Sequence, residues 1–81
     1  MRKHYFTKQS ISDFIIYPDA TPFSGATFFI NLVGGKQLSY QSSSEVETKR
    51  LESALIEMLT SKIYTIIGCL TNANKLTFER Y

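Results

Sequence analysis

Residues 27–33, Thr-Phe-Phe-Ile-Asn-Leu-Val, carry no charge, are rich in aromatic and β-branched side chains, and run straight into Gly34-Gly35. This stretch constrains the fold more than any other. It reads as a strand. A strand with no charge along it must lie inside a sheet or be covered, because an open apolar edge invites pairing with other chains. After the glycines, residues 36–41 alternate Leu38 and Tyr40 with polar neighbours, so the pair of runs reads as a β-hairpin. A two-residue Gly34-Gly35 loop would set Leu32 against Gln37 and Ile30 against Ser39. A loop over residues 34–36 would set Leu32 against Leu38 and Ile30 against Tyr40. The longer loop is expected, since it faces apolar side chains with apolar ones and uses a glycine for the left-handed position.

Around the hairpin the pattern is simpler. Residues 14–17, Phe-Ile-Ile-Tyr, form a strand stopped by Pro18, and 18–25 is a loop. Ser44-Glu45-Val46-Glu47 has the spacing of a capping box, with Ser44 at the N-cap and acids at the positive end of the helix dipole. Leu51, Ala54, Leu55, Met58 and Leu59 follow at helical spacing, which predicts an amphipathic helix over 45–61. Residues 63–70 are expected as a strand buried on both faces, 71–74 as a polar break, and 75–81 as a last strand, with the first turns of a helix as the alternative. The order is β-β-β-α-β-β. It predicts a single α+β domain over 1–81, a mainly antiparallel sheet of four or five strands packed against one long helix.

Size and composition agree. The chain has 81 residues, 43% hydrophobic and only 20% charged, which suits one folded domain and not a disordered chain. Net charge is +2, too small to argue for nucleic acid or membrane by itself. Arg2, Lys3 and Lys8 are read as a solvated terminus. Cys69 is the single cysteine, which rules out an intrachain disulfide and favours a reducing compartment. In its apolar setting it is expected as a small core residue. No apolar segment follows the basic start as in a signal peptide, and the apolar runs at 14–17 and 64–70 are too short to span a bilayer. A soluble, cytoplasmic protein without a membrane partner is expected, and a chain this short fits a phage or viral source.

Reactive constellations are sparse. His4 is the single histidine and stands far from Cys69, so a zinc set is not formed. Gly34-Gly35 lacks the following Lys-Ser/Thr pair and helix start of a phosphate loop. No cofactor and no catalytic set are expected. Asp19, at a strand end, and Glu52, placed by helical counting beside Leu59 at the border of the buried stripe, are the candidate metal ligands. The alternative is that Asp19 caps a Pro-Asp turn and Glu52 is a surface charge.

Tyr17-Pro18-Asp19-Ala20, Arg50-Leu51-Glu52 and Leu70-Thr71-Asn72-Ala73 stand in the order and approximate spacing of three acidic positions. In this, residues 14–74 resemble the N-terminal half of the ribonuclease H fold. The resemblance implies three antiparallel strands, a helix, and then a strand parallel to the first. Asn72 stands where that family has its third acid, so it implies a catalytically inactive relative. Residues 26–59 are similar instead to the second half of a double-stranded RNA-binding domain. There Glu45-Val46-Glu47 replaces the phosphate-gripping lysines at the helix start.

The expectation for function is a small non-enzymatic binding or regulatory protein that works through protein–protein contacts. Phe23, Phe28, Phe29, Tyr40, Tyr64, Phe78 and Tyr81 are too many large rings to fit under one helix. Some should form an exposed patch or a dimer seam. Phe29, Val33, Tyr40 and Phe23 are the candidate contact residues. A homodimer is the first expected partner and another protein the second. A nucleic-acid-binding or inactive ribonuclease H-like module is the alternative.

Overall fold

The computed structural model describes residues 3–19, 25–71 and 75–81. Strand β1 (Lys3–Phe6) leads through a 3₁₀ turn at Lys8–Ser10 into β2 (Ile11–Pro18). β3 (Ala26–Leu32) and β4 (Gln37–Gln41) follow, then helix α1 (Glu45–Thr60), β5 (Ile66–Thr71) and β6 (Leu76–Arg80). The class is α+β, as expected. Among the described residues the strands number six and form two three-stranded sheets, ordered β2-β3-β4 and β1-β5-β6, where one sheet of four or five was expected. Every ladder is antiparallel. The ribonuclease H-type order implies that the strand after the helix runs parallel to the strand at 14–17. β5 instead lies between β1 and β6, antiparallel to both.

One core joins the three parts. α1 supplies Leu51, Leu55 and Met58, the β2-β3-β4 sheet supplies Phe28, Ile30 and Leu38 among others, and the second sheet supplies Phe6, Ile66, Leu70 and Leu76. Burial of this kind contributes about 25 cal/mol for each Å² of apolar surface removed from water.

The N-terminal segment is structural, although its basic Lys3 and Lys8 are exposed, as expected of solvated charges. Phe6 is 1% exposed. Its ring covers Gly68 across the β1–β5 ladder and meets Phe78 edge-on at 6.1 Å. A Cβ at Gly68 would collide with that ring, so the absence of a side chain at position 68 makes room for Phe6. β5 is shorter than expected, and Ile63 is 85% exposed ahead of it. Its side chains alternate between buried and half-exposed, since the sheet is covered by the core on one side only. Cys69 therefore faces outward with Ile67 and is half-exposed, a correction to its assignment as a core residue.

The β3–β4 loop has the expected length but starts one residue earlier. Leu32 and Lys36 close it, with the Leu32 N–H donating to the Lys36 carbonyl at 2.7 Å, so the loop is Val33-Gly34-Gly35. Both glycines then take positive φ, +98° and +93°, which side chains disfavour. Ile30 pairs with Leu38 and Phe28 with Tyr40. Partners move by two residues relative to the expected register, so Ile30, Leu38 and Tyr40 still share one face of the hairpin.

α1 begins as read. The Ser44 Oγ accepts the Glu47 N–H at 3.1 Å. The returning half of the box is offset by one residue, for the Glu47 carboxylate accepts the Ser43 N–H at 2.8 Å. Glu52 is exposed, not at the border of the buried face. Helical counting placed it beside Leu59, but the buried stripe centres on Leu55 and leaves Leu59 itself only half-buried. Among the described residues no helix is long and apolar enough to cross a membrane.

Candidate interaction surface

β3 alternates strictly. Ala26, Phe28 and Ile30 point into the core, so Thr27, Phe29 and Asn31 point outward. The ladders carry these outward residues into three rows across the sheet: Asp13–Asn31–Gln37, Ile15–Phe29–Ser39 and Tyr17–Thr27–Gln41. Phe29 and Tyr17 meet edge-on at 5.6 Å. Ile15 is 40% exposed and Tyr17 55%. Together they make an apolar island on the outer face, displaced toward β2.

The polar side chains around the island bond one another. Asn31 Nδ2 donates to Asp13 Oδ1 at 2.7 Å, and Gln37 Nε2 donates to Asn31 Oδ1 at 2.8 Å. On the other flank Thr27 Oγ1 donates to Gln41 Oε1 at 2.6 Å, and Gln41 Nε2 donates to Asp19 Oδ2 at 2.9 Å. A polar group that already has a partner loses less when water is removed. The face is thus less costly to cover than its composition suggests.

β2 is also an edge. Among the described residues it pairs with β3 alone. Its protection against further pairing consists of the Asp13 charge, a register irregularity between Ile11 and Asp13, and Pro18 at its end. Between these devices the backbone of Phe14, Ile15, Ile16 and Tyr17 is open on one side.

The four expected contact residues separate. Phe29 lies at the centre of the island. Val33 is 69% exposed in the β3–β4 loop, beyond the end of β3. Tyr40 is a correction. It sits opposite Phe28 on the inner face and is buried, with its hydroxyl donating to Glu47 Oε1 at 3.1 Å. Desolvation first, and the Glu47 carboxylate second, hold its phenol above the ordinary value. Phe23 lies outside the described residues, as does Asn72. Asp19 is engaged by Gln41 at the end of β2, while Glu52 stands exposed on α1. Among the described residues no group of three or more His, Cys, Asp or Glu side chains is arranged to hold a metal ion.

Ile15 and Tyr17 belong to the surface and were not singled out from the sequence. The run Phe14-Ile15-Ile16-Tyr17 is apolar at every position, so alternation could not separate its two faces. The signal lay in the partner strand, because β3 fixes which residues of β2 face out. No family model, curated protein or solved structure matches this chain.

Proposed function

We propose that this chain is a small protein-binding protein that acts through the outer face and free edge of the β2-β3-β4 sheet, with a second copy of itself as first partner. The island of Ile15, Tyr17 and Phe29 beside the open β2 edge carries the reading. Two copies related by a two-fold axis would set β2 against β2 antiparallel, joining two three-stranded sheets into one. The row at the centre of the face, Ile15–Phe29–Ser39, holds no charge, so self-pairing brings no like charges together there. A nucleic acid would find Asp13 and Asp19 on this face, and phosphates repel carboxylates.

Sedimentation over a concentration series tests the proposal. A monomer–dimer equilibrium is expected for the wild-type chain. Ile15→Lys, at an exposed position, should leave the far-ultraviolet circular dichroism and melting transition in place while weakening the dimer. A single monomeric species up to high micromolar concentration overturns self-association.

A further inference from the structure

On the other sheet, a cleft of about 500 Å³ lies between α1 and β6. This is within the roughly 300–1,000 Å³ range of ligand sites. Its origin is in the helix stripe. Ala54 holds a position between Leu51 and Met58 where a long side chain would reach β6, and a methyl group leaves the space open. Leu76 and Phe78 line the opposite wall. β6 is the outer strand of its sheet and pairs with β5 alone among the described residues, so one row of its backbone N–H and C=O groups has no strand partner along the edge that borders the cleft-lining residues.

The rim is basic. Arg80 donates to Glu57 at 2.8 Å and lies over the Tyr64 ring at 5.4 Å, so it is held in place and largely neutralised. Arg50 is different. Its partner is Glu47 Oε2 at 3.9 Å, a long ion pair, while Oε1 of the same carboxylate accepts from the Ser43 N–H and the Tyr40 hydroxyl. A guanidinium has five N–H donors, and this one, 70% exposed, has them to spare for a carboxylate.

We propose that the cleft binds an extended acidic–apolar peptide segment of a partner protein, added along β6 as a further strand. Its backbone completes the β6 ladder, an apolar side chain fills the space over Ala54 against Leu76 and Phe78, and a carboxylate two residues along, on the same face of the added strand, pairs with Arg50. Strand addition of this kind takes affinity from main-chain hydrogen bonds and selectivity from sockets for alternate side chains. The site is on a different sheet from the β2 surface, so it stands or falls apart from self-association.

The test uses a fluorescein-labelled, capped hexapeptide, Thr-Val-Thr-Asp-Thr-Val, and its Asp-to-Lys counterpart, read by fluorescence anisotropy and by amide exchange of β6. The acidic peptide should bind several-fold more tightly and slow exchange in β6. Ala54→Leu fills the cleft and should abolish binding while keeping the circular dichroism of the fold. Arg50→Glu, on the exposed surface, should reverse the preference between the two peptides. Binding unchanged in Ala54→Leu, no reversal in Arg50→Glu, or no peptide binding while dodecanoate binds, each overturns the proposal.

Discussion

The two sheets have equal numbers of strands but are assembled from different distances along the chain. In the β2-β3-β4 sheet each strand pairs with the next one in sequence. In the β1-β5-β6 sheet, β5 and β6 are adjacent in sequence but β1 joins them from across the helix, with Phe6 set against Gly68. The first kind of pairing closes short loops. The second must hold most of the chain in place before its contacts form, and that entropy is lost first. Similar buried area can therefore serve different stages of folding.

Matched truncations test this contrast most strongly. Phe6→Ala and Phe28→Ala each remove a buried ring, one per sheet, and each should cost about 3–5 kcal/mol in urea denaturation. Their kinetics should differ. Phe28→Ala is expected to slow folding, whereas Phe6→Ala should mainly speed unfolding, because the β1–β5 pairing forms late. Equal partition of the two effects in stopped-flow measurements would erase the distinction between the sheets.

Gly68→Ala sharpens it at one contact. The new methyl group collides with the Phe6 ring and should destabilise by about 1–3 kcal/mol, as overpacking does. In the Phe6→Ala background most of that loss should vanish, since residues in contact are not additive. If the Gly68→Ala loss is the same in both backgrounds, the ring does not cover residue 68.

Ser44→Ala addresses the helix that both sheets share. Loss of its hydrogen bond to the Glu47 N–H should cost about 0.5–2 kcal/mol. An unchanged denaturation midpoint would move the start of α1. The smallest effect concerns pH. The Ser43 N–H, helped by the Tyr40 and Ser43 hydroxyls and by Arg50, holds the Glu47 carboxyl below its ordinary value. A depressed acid stabilises the fold fully above its unfolded pKa, and the contribution disappears as pH falls through the folded value. Stability measured from neutral pH down through the carboxylate range should therefore fall, and Glu47→Gln should flatten part of that slope. An identical acid limb in the variant would show that Glu47 is not coupled to folding.

The same contrast explains what the sequence made visible. The β3–β4 hairpin and the start of α1 were readable because the turn glycines, the Ser44 cap and the helical stripe all act within a few residues. β1 was not readable. It has four residues, one of them buried, and the reason for that burial is a missing side chain at position 68. Tyr40 was misplaced for a related reason. A large ring with a hydroxyl suits either face, and its inward choice depends on Phe28 opposite and on Glu47 as acceptor. At the candidate interaction surface, Phe29 was legible from the alternation of its own strand, while Ile15 and Tyr17 took their facing from that neighbour.

The placement of β1 and β6 on either side of β5 also has a mechanical consequence. Both run antiparallel to β5, so they run parallel to each other. Lys3 lies at the Thr71 end of the ladder and Arg80 at the Ile66 end. Tension applied between Lys3 and Arg80 would drag the two outer strands in opposite directions along their own axes. Ladder hydrogen bonds lie across the strands, so such a load strains them all together instead of opening them one at a time. Pulled in this direction, the small sheet should resist as a unit and then yield in one step.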